Sequence, residues 1–101
     1  MGTEGSVKIQ TEVNNEIKAP GFYKVLLYND DFTTMEFVVE LLETVFSKSE
    51  AEAFDLMMSV HHGSFAVAGV YPKDIAKTKA AISVAIARKN GYPLKVEAVP
   101  E

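Results

Sequence analysis

With 101 residues, 48% of them hydrophobic and 24% charged, the chain fits one compact domain with a modest core and leaves no length for a second. It has no cysteine, which excludes a disulfide framework, a thiolate nucleophile and any metal site built with Cys. A formal charge of -4 and a pI near 5.1 disfavour a nucleic-acid partner, whose phosphates call for clustered Lys and Arg.

No apolar run approaches the roughly 20 residues that cross a bilayer, so no membrane partner is expected. The opening stretch, Met1-Gly2-Thr3-Glu4-Gly5-Ser6-Val7, lacks the basic region and apolar core of a signal peptide, and the expected setting is cytoplasmic. Residues 1–19 mix Gly, Ser, Thr, Asn and both charge signs around widely spaced Val7, Ile9, Val13 and Ile17. This reads as a flexible N-terminal arm, either a plain terminus or a tether that orders on a larger partner. Ala19-Pro20-Gly21 separates it from a domain over residues 20–101.

Phe22 to Tyr28 is rich in aromatic and branched residues and predicts a strand, with Tyr23, Val25 and Leu27 on one face. Phe22, Lys24, Leu26 and Tyr28 form the other face, and its apolar members imply partial cover at Leu26 and Tyr28. The strand runs into Asn29-Asp30-Asp31, short polar side chains that ordinarily bond nearby backbone in a turn.

Thr33 followed by Glu36 has the form of a capping box, with Thr34 as a competing N-cap. Met35, Val38, Val39, Leu42, Val45 and Phe46 then recur at helical spacing and predict a helix over residues 34–46. Ser49 with Glu52 forms a second capping box that opens a helix over 50–61, with Ala53, Met57 and Val60 on one stripe and Phe54, Met58 and His61 on the next. The short connection predicts an αα-hairpin, and Gly63 is expected to stop the second helix.

Phe65, Val67 and Gly69 alternate with Ala66, Ala68 and Val70 as a second strand. Pro72 suits a first helical turn, and Ile75, Lys79, Ile82 and Ile86, with Ala76, Ala81 and Ala85, describe a helix over 73–89 ending before Asn90-Gly91. Leu94, Val96 and Ala98 alternate with Lys95 and Glu97 in a third strand. The order β-α-α-β-α-β predicts an α+β domain, a short antiparallel three-stranded sheet covered by three helices.

Three polar side chains at one strand end exceed what a single turn needs. His61 ends the second helix beside Met57 and Val60, and Met35, Met57 and Met58 are thioethers suited to an adaptable apolar pocket. If the hairpin folds beside the first strand end, these sets form a small apolar cavity rimmed by acceptors. Its physical target is a ligand with a cationic or multidonor head and a hydrophobic side chain. A shared metal is disfavoured because His61 and His62 are adjacent and face apart. A small hydrolase using Asp30 or Asp31 with His61 lacks an activated nucleophile. No phosphate-binding glycine loop, dinucleotide fingerprint or His-Glu-x-x-His motif is present, and no cofactor is expected.

At these residues the chain resembles the ClpS family of adaptors, which deliver proteins bearing destabilising N-terminal residues to the Clp ATP-dependent protease. The resemblance rests on Tyr23-Lys24-Val25-Leu26-Leu27, Asn29-Asp30-Asp31-Phe32-Thr33, Met35-Glu36-Phe37-Val38, Met57-Met58-x-Val60-His61, Gly63, Gly69-Val70-Tyr71, Lys79 and Pro93-Leu94, and covers residues 20–99. It implies a noncatalytic adaptor in which Asn29, Asp30 and His61 engage the α-ammonium and first peptide group of a substrate. Asp31 and Thr33 would support the pocket lip, and Met35, Met57, Val60 and Leu94 would hold a first residue Leu, Phe, Tyr or Trp.

The same resemblance makes Met35 a gatekeeper against β-branched first residues. It implies a second surface, carrying Asp74 and Lys79, that docks the N-terminal domain of a ClpA- or ClpC-type AAA+ unfoldase. Two departures stand out: Thr34 where the family commonly has Pro, and Phe32 where it commonly has Tyr. The alternative within the family is a regulatory module that docks the unfoldase with altered or lost N-terminal recognition.

Overall fold

The computed structural model describes residues 21–101, so the expected N-terminal arm lies outside the described residues. The elements follow the predicted order: β1 (Phe22–Tyr28), α1 (Met35–Thr44), α2 (Glu50–His62), β2 (Phe65–Pro72), α3 (Lys73–Lys89) and β3 (Val96–Pro100). The three strands form one antiparallel sheet in the order β2-β1-β3. The most apolar strand is therefore central, where both its backbone edges are paired and Val25 and Leu27 are fully buried. Leu26 is also buried, and Tyr28 on the same face packs against Phe65 with ring centroids 5.9 Å apart.

The core lies between the sheet and the helices, built from Val25 and Leu27, Leu41 and Leu42 of α1, Ala53, Met57 and Val60 of α2, and Leu94. On α3 the structure corrects the expected stripe. Ala76, Ala80, Ser83 and Ala87 are buried, whereas Ile75 and Ile82 are exposed. The small side chains let the helix backbone approach the sheet closely. Turning Ile75 and Ile82 inward would force that helix away from it.

Both ends of the hairpin helices are chemically defined. Ser49 and Glu52 form the reciprocal capping box, with the Glu52 amide donating to Ser49 Oγ at 3.1 Å and the Ser49 amide to Glu52 Oε1 at 3.1 Å. Gly63 ends α2 in extended backbone, with φ -112° and ψ -161°, rather than in the left-handed cap common at helix ends. A Cβ there would sit 3.1 Å from the Ser59 carbonyl oxygen. Gly91 does take the left-handed conformation, with φ 81°, and the amides of Gly91 and Tyr92 close on the carbonyls of Arg88 and Ala87 as a Schellman motif.

The strict alternation expected along β2 is broken by a bulge: Val25 pairs with Gly69 and Leu26 with Val67, leaving Ala68 as the extra residue. β3 begins at Val96, two residues later than the alternation implied. Leu94 stands before the strand, buried, with its carbonyl taken by Arg88 Nη1 at 2.8 Å instead of by a neighbouring strand.

Candidate functional site

The site grows from the end of β1. The Tyr28 amide donates to the Lys95 carbonyl at 3.0 Å and the Asn29 amide to the Ser64 carbonyl at 3.0 Å, which sets the strand end beside the turn that follows α2. Beyond Asn29 the chain wraps around one carboxylate. Asp30 Oδ1 accepts from the amides of Phe32 at 2.8 Å and Thr33 at 2.7 Å, and Oδ2 accepts from the Thr33 hydroxyl at 2.7 Å.

Partial burial works to raise the Asp30 carboxyl. The hydrogen bonds from Thr33 and Phe32 and the charge of Arg88 outweigh it and hold the group below the ordinary aspartate value. Asp30 is therefore a carboxylate at neutral pH. Three of its roughly four acceptor positions are already engaged by its own loop.

This arrangement decides between the two expected caps of α1. Thr33 is spent on Asp30, and Thr34 is the N-cap, its Oγ1 accepting from the Phe37 amide at 3.2 Å. The Thr34 hydroxyl also donates to the Tyr92 hydroxyl at 3.4 Å, and Tyr92 packs on Phe37 with centroids 4.9 Å apart. The start of α1 is thus tied to the turn after α3.

Between this loop and α2 lies a cavity of about 460 Å³. The structure brings Asn29, Asp30, Asp31, Thr33, Met35, Met57, Val60 and His61 together around it. Asn29, Asp31 and His61 stand exposed at the rim, while Met57 and Val60 are buried in the floor. Met35 is 44% exposed at the mouth. Leu94 is not among the lining residues; it is buried in the core.

Four lining residues were missed as site residues: Phe32, Thr34, Glu36 and Val38. Val38 was legible only as a core position, although it lies one turn after Met35 and shares its side of the helix. Arg88 was missed altogether. Its guanidinium holds the carbonyls of Tyr92 at 2.9 Å and Leu94 at 2.8 Å, and its charge favours the ionised Asp30. A basic residue in the last turn of a helix reads from sequence as a dipole partner, with nothing to mark its distant carbonyls.

Chemically the cleft joins an apolar floor to a negative, acceptor-rich rim. Its volume suits one amino-acid side chain with room for a head group. The rings of His61 and His62 lie edge to face, 5.1 Å apart, and among the described residues no group of three His, Asp or Glu gathers as for a metal ion.

Asp74 and Lys79 lie elsewhere, on α3, beside a shallow depression of about 290 Å³ that also includes Ile75, Thr78 and Ile82. Lys79 is already engaged inside the fold. Its ammonium donates to the Val45 carbonyl at 2.8 Å, at the C-terminus of α1, and stands 5.2 Å from the Tyr71 ring centroid.

Fold and cleft together define a small α+β binding domain: one antiparallel sheet, three helices, and an acid-rimmed apolar pocket at the end of the central strand. Residues 18–97 match the family described as "ATP-dependent Clp protease adaptor protein ClpS". The chain is 51% identical over 96 residues to the ATP-dependent Clp protease adapter protein ClpS of Clostridium acetobutylicum, covering 95% of each chain. It is 48% identical over 100 residues to the ClpS adapter of Deinococcus radiodurans, covering 99% of this chain and 87% of that one. Agrobacterium tumefaciens ClpS2, whose structure is bound to L-phenylalaninamide, superposes with a TM-score of 0.79 at 41% identity, over 82% of this chain and 100% of that one. The chain belongs to the ClpS family of Clp protease adaptors.

Proposed function

We propose that this chain is a noncatalytic, cytoplasmic adaptor that binds the free N-terminal Leu, Phe, Tyr or Trp of a substrate and delivers it to a ClpA- or ClpC-type AAA+ unfoldase. The observation that carries this reading is the convergence of Asn29, Asp30 and His61 on the rim of a cavity floored by Met57 and Val60. A peptide N-terminus offers the complementary pair, an ammonium with three donors and an apolar side chain.

L-phenylalaninamide, bound by the Agrobacterium relative, has that chemistry in minimal form: a free α-amine, an amide and an aromatic side chain. In this chain the rim would receive the α-ammonium and the first peptide group, with the ionised Asp30 supplying charge and Asn29 and His61 supplying direct partners. The floor of Met57 and Val60 takes the side chain, while Leu94 lies in the core outside the lining. Met35 at the mouth crowds a branch at Cβ while leaving room for one at Cγ, which favours Leu over Ile and Val.

Docking of the unfoldase is assigned to α3, where exposed Ile75 and Ile82 flank Asp74 and Lys79. Because the Lys79 ammonium already serves Val45, its charge there is held in place rather than freely mobile. The test is a titration of otherwise identical peptides beginning with free Leu, acetylated Leu or free Ile. Tight binding of the first alone is expected; equal binding of all three would overturn the pocket mechanism.

A further inference from the structure

Sulfur in this chain is confined to methionine: there are four, and no cysteine. A peroxide that meets the protein therefore finds no thiol to consume it, and the thioethers are its chief targets in proportion to their exposure. Among the described residues Met35, Met57 and Met58 differ sharply in that respect. Met57 is 5% exposed in the core, Met58 is partly buried against that core, and Met35 is 44% exposed.

Met35 is also open on two sides. Besides the cleft it lines a second concavity of about 660 Å³ between α1 and α2, whose other walls include Val39, Phe54, Glu40 and Glu43. A small oxidant reaches a side chain between two such hollows without any opening of the fold.

We infer that Met35 is a modification site, an oxidation switch whose sulfoxide closes the cleft to an apolar N-terminal residue. The inference rests on the N-terminal reading given above. The step takes one oxygen from a peroxide: the thioether sulfur attacks the O–O bond, an S–O bond forms, sulfur loses two electrons, and hydrogen peroxide leaves as water. Return needs a thiol-based sulfoxide reductase, in which two thiols become a disulfide and the oxygen departs as water.

The consequence follows from what surrounds the mouth. A thioether is an apolar wall, whereas a sulfoxide is polar and carries a strong acceptor oxygen. Seating an apolar side chain against it strips that oxygen of water. The nearby hydroxyls do not replace the water, since that of Thr33 donates to Asp30 and that of Thr34 to Tyr92. The side-chain donors left on the rim are Asn29 and His61, which the peptide itself needs. The oxygen is either desolvated or takes those donors, and the free N-terminus loses affinity in both cases. Met35 stands outside the core, so the fold survives its oxidation.

In the experiment, the full chain is treated with hydrogen peroxide, quenched, and divided between peptide mapping by mass spectrometry and fluorescence-anisotropy binding of a peptide that begins with free Leu. The sulfoxide is expected at Met35 before Met57 and Met58, with affinity falling on the order of tenfold as Met35 converts. A methionine sulfoxide reductase should restore it. Met35→Leu is compared with its own untreated form, and the same exposure to peroxide should change its affinity by less than about twofold. Thermal melts before and after treatment should both show a folded protein.

Sulfoxide at Met35 with affinity unchanged, an equal loss in Met35→Leu, or unfolding on treatment overturns the switch while leaving the N-terminal reading in place. So does conversion of Met57 ahead of Met35. An acetylated Leu peptide tests that reading separately: undiminished binding to the untreated protein overturns it, and the switch with it.

Discussion

Thr33 holds the Asp30 carboxylate at both oxygens, its amide donating to Oδ1 at 2.7 Å and its hydroxyl to Oδ2 at 2.7 Å. The loop at the end of β1 is therefore folded around a charge. That charge also faces the cleft, so loop conformation and binding electrostatics depend on the same group.

Asp30→Asn keeps the size of the side chain but removes the charge and leaves one oxygen for three donors. Peptide affinity should fall on the order of tenfold or more. Because the folded-state value lies below the ordinary 3.8, the stabilisation by the carboxylate is fully present above that value and is lost as pH falls through the lower folded one. Thermal melts of both proteins across pH should differ at neutrality and converge in strong acid.

His61→Ala should weaken binding of a free-Leu peptide by tenfold or more while leaving unfoldase binding unchanged. His61 is exposed at the last turn of α2, so little packing is lost. Calorimetric titration with peptide and with an isolated unfoldase N-terminal domain separates the two effects. Unchanged peptide affinity would return His61 to the role of a helix-end residue.

Met35→Ala opens the mouth of the cleft and merges it with the neighbouring groove. Rejection of Ile- and Val-starting peptides should relax, narrowing their gap to Leu by about tenfold, while affinity for Leu itself falls from lost contact. Competition anisotropy with the three peptides reads this directly. An unchanged gap removes the gatekeeper role.

Arg88→Ala strips two carbonyls of a charged donor and takes a positive charge away from Asp30. Stability in urea should drop by about 1–3 kcal/mol. The Asp30 value, followed by NMR titration, should move up. Arg88→Lys should restore much of the charge effect and less of the stability, since one ammonium on a flexible stem does not reproduce the planar fork.

Gly69→Ala places a methyl group 2.5 Å from the Tyr71 hydroxyl oxygen and 2.7 Å from its Cζ. The Tyr71 ring cannot move freely, packed 6.4 Å from Phe46 with the Lys79 ammonium 5.2 Å from its centroid. The substitution should cost about 1–3 kcal/mol in chemical denaturation. Combined with Tyr71→Ala, its cost should shrink, a coupling that a double-mutant cycle detects.

Much of the fold was legible because it rests on local periodicity. The alternation at Val25 and Leu27, the stripe Ala53-Met57-Val60 and the Ser49–Glu52 box are each written within one element, and the structure shows all three. The α3 stripe was not, since Ile75 and Ile82 outrank Ala76 and Ala80 in hydrophobicity. Only the distance between helix and sheet makes small residues the better core. The Thr33 and Thr34 caps were also indistinguishable until Asp30 claimed one of them.

By itself the sequence determined the element order, the polar break after β1 and the residue types suited to an amine-bearing apolar ligand. Tertiary structure decided which of them meet. It placed Asp30 opposite α2 to close a cleft, sent Leu94 into the core with its carbonyl on Arg88, and set Phe54 beside Glu40 and Glu43 across a groove. The physical reason is separation along the chain: periodicity reports which side of an element is buried, whereas contacts between distant elements depend on how closely their surfaces pack.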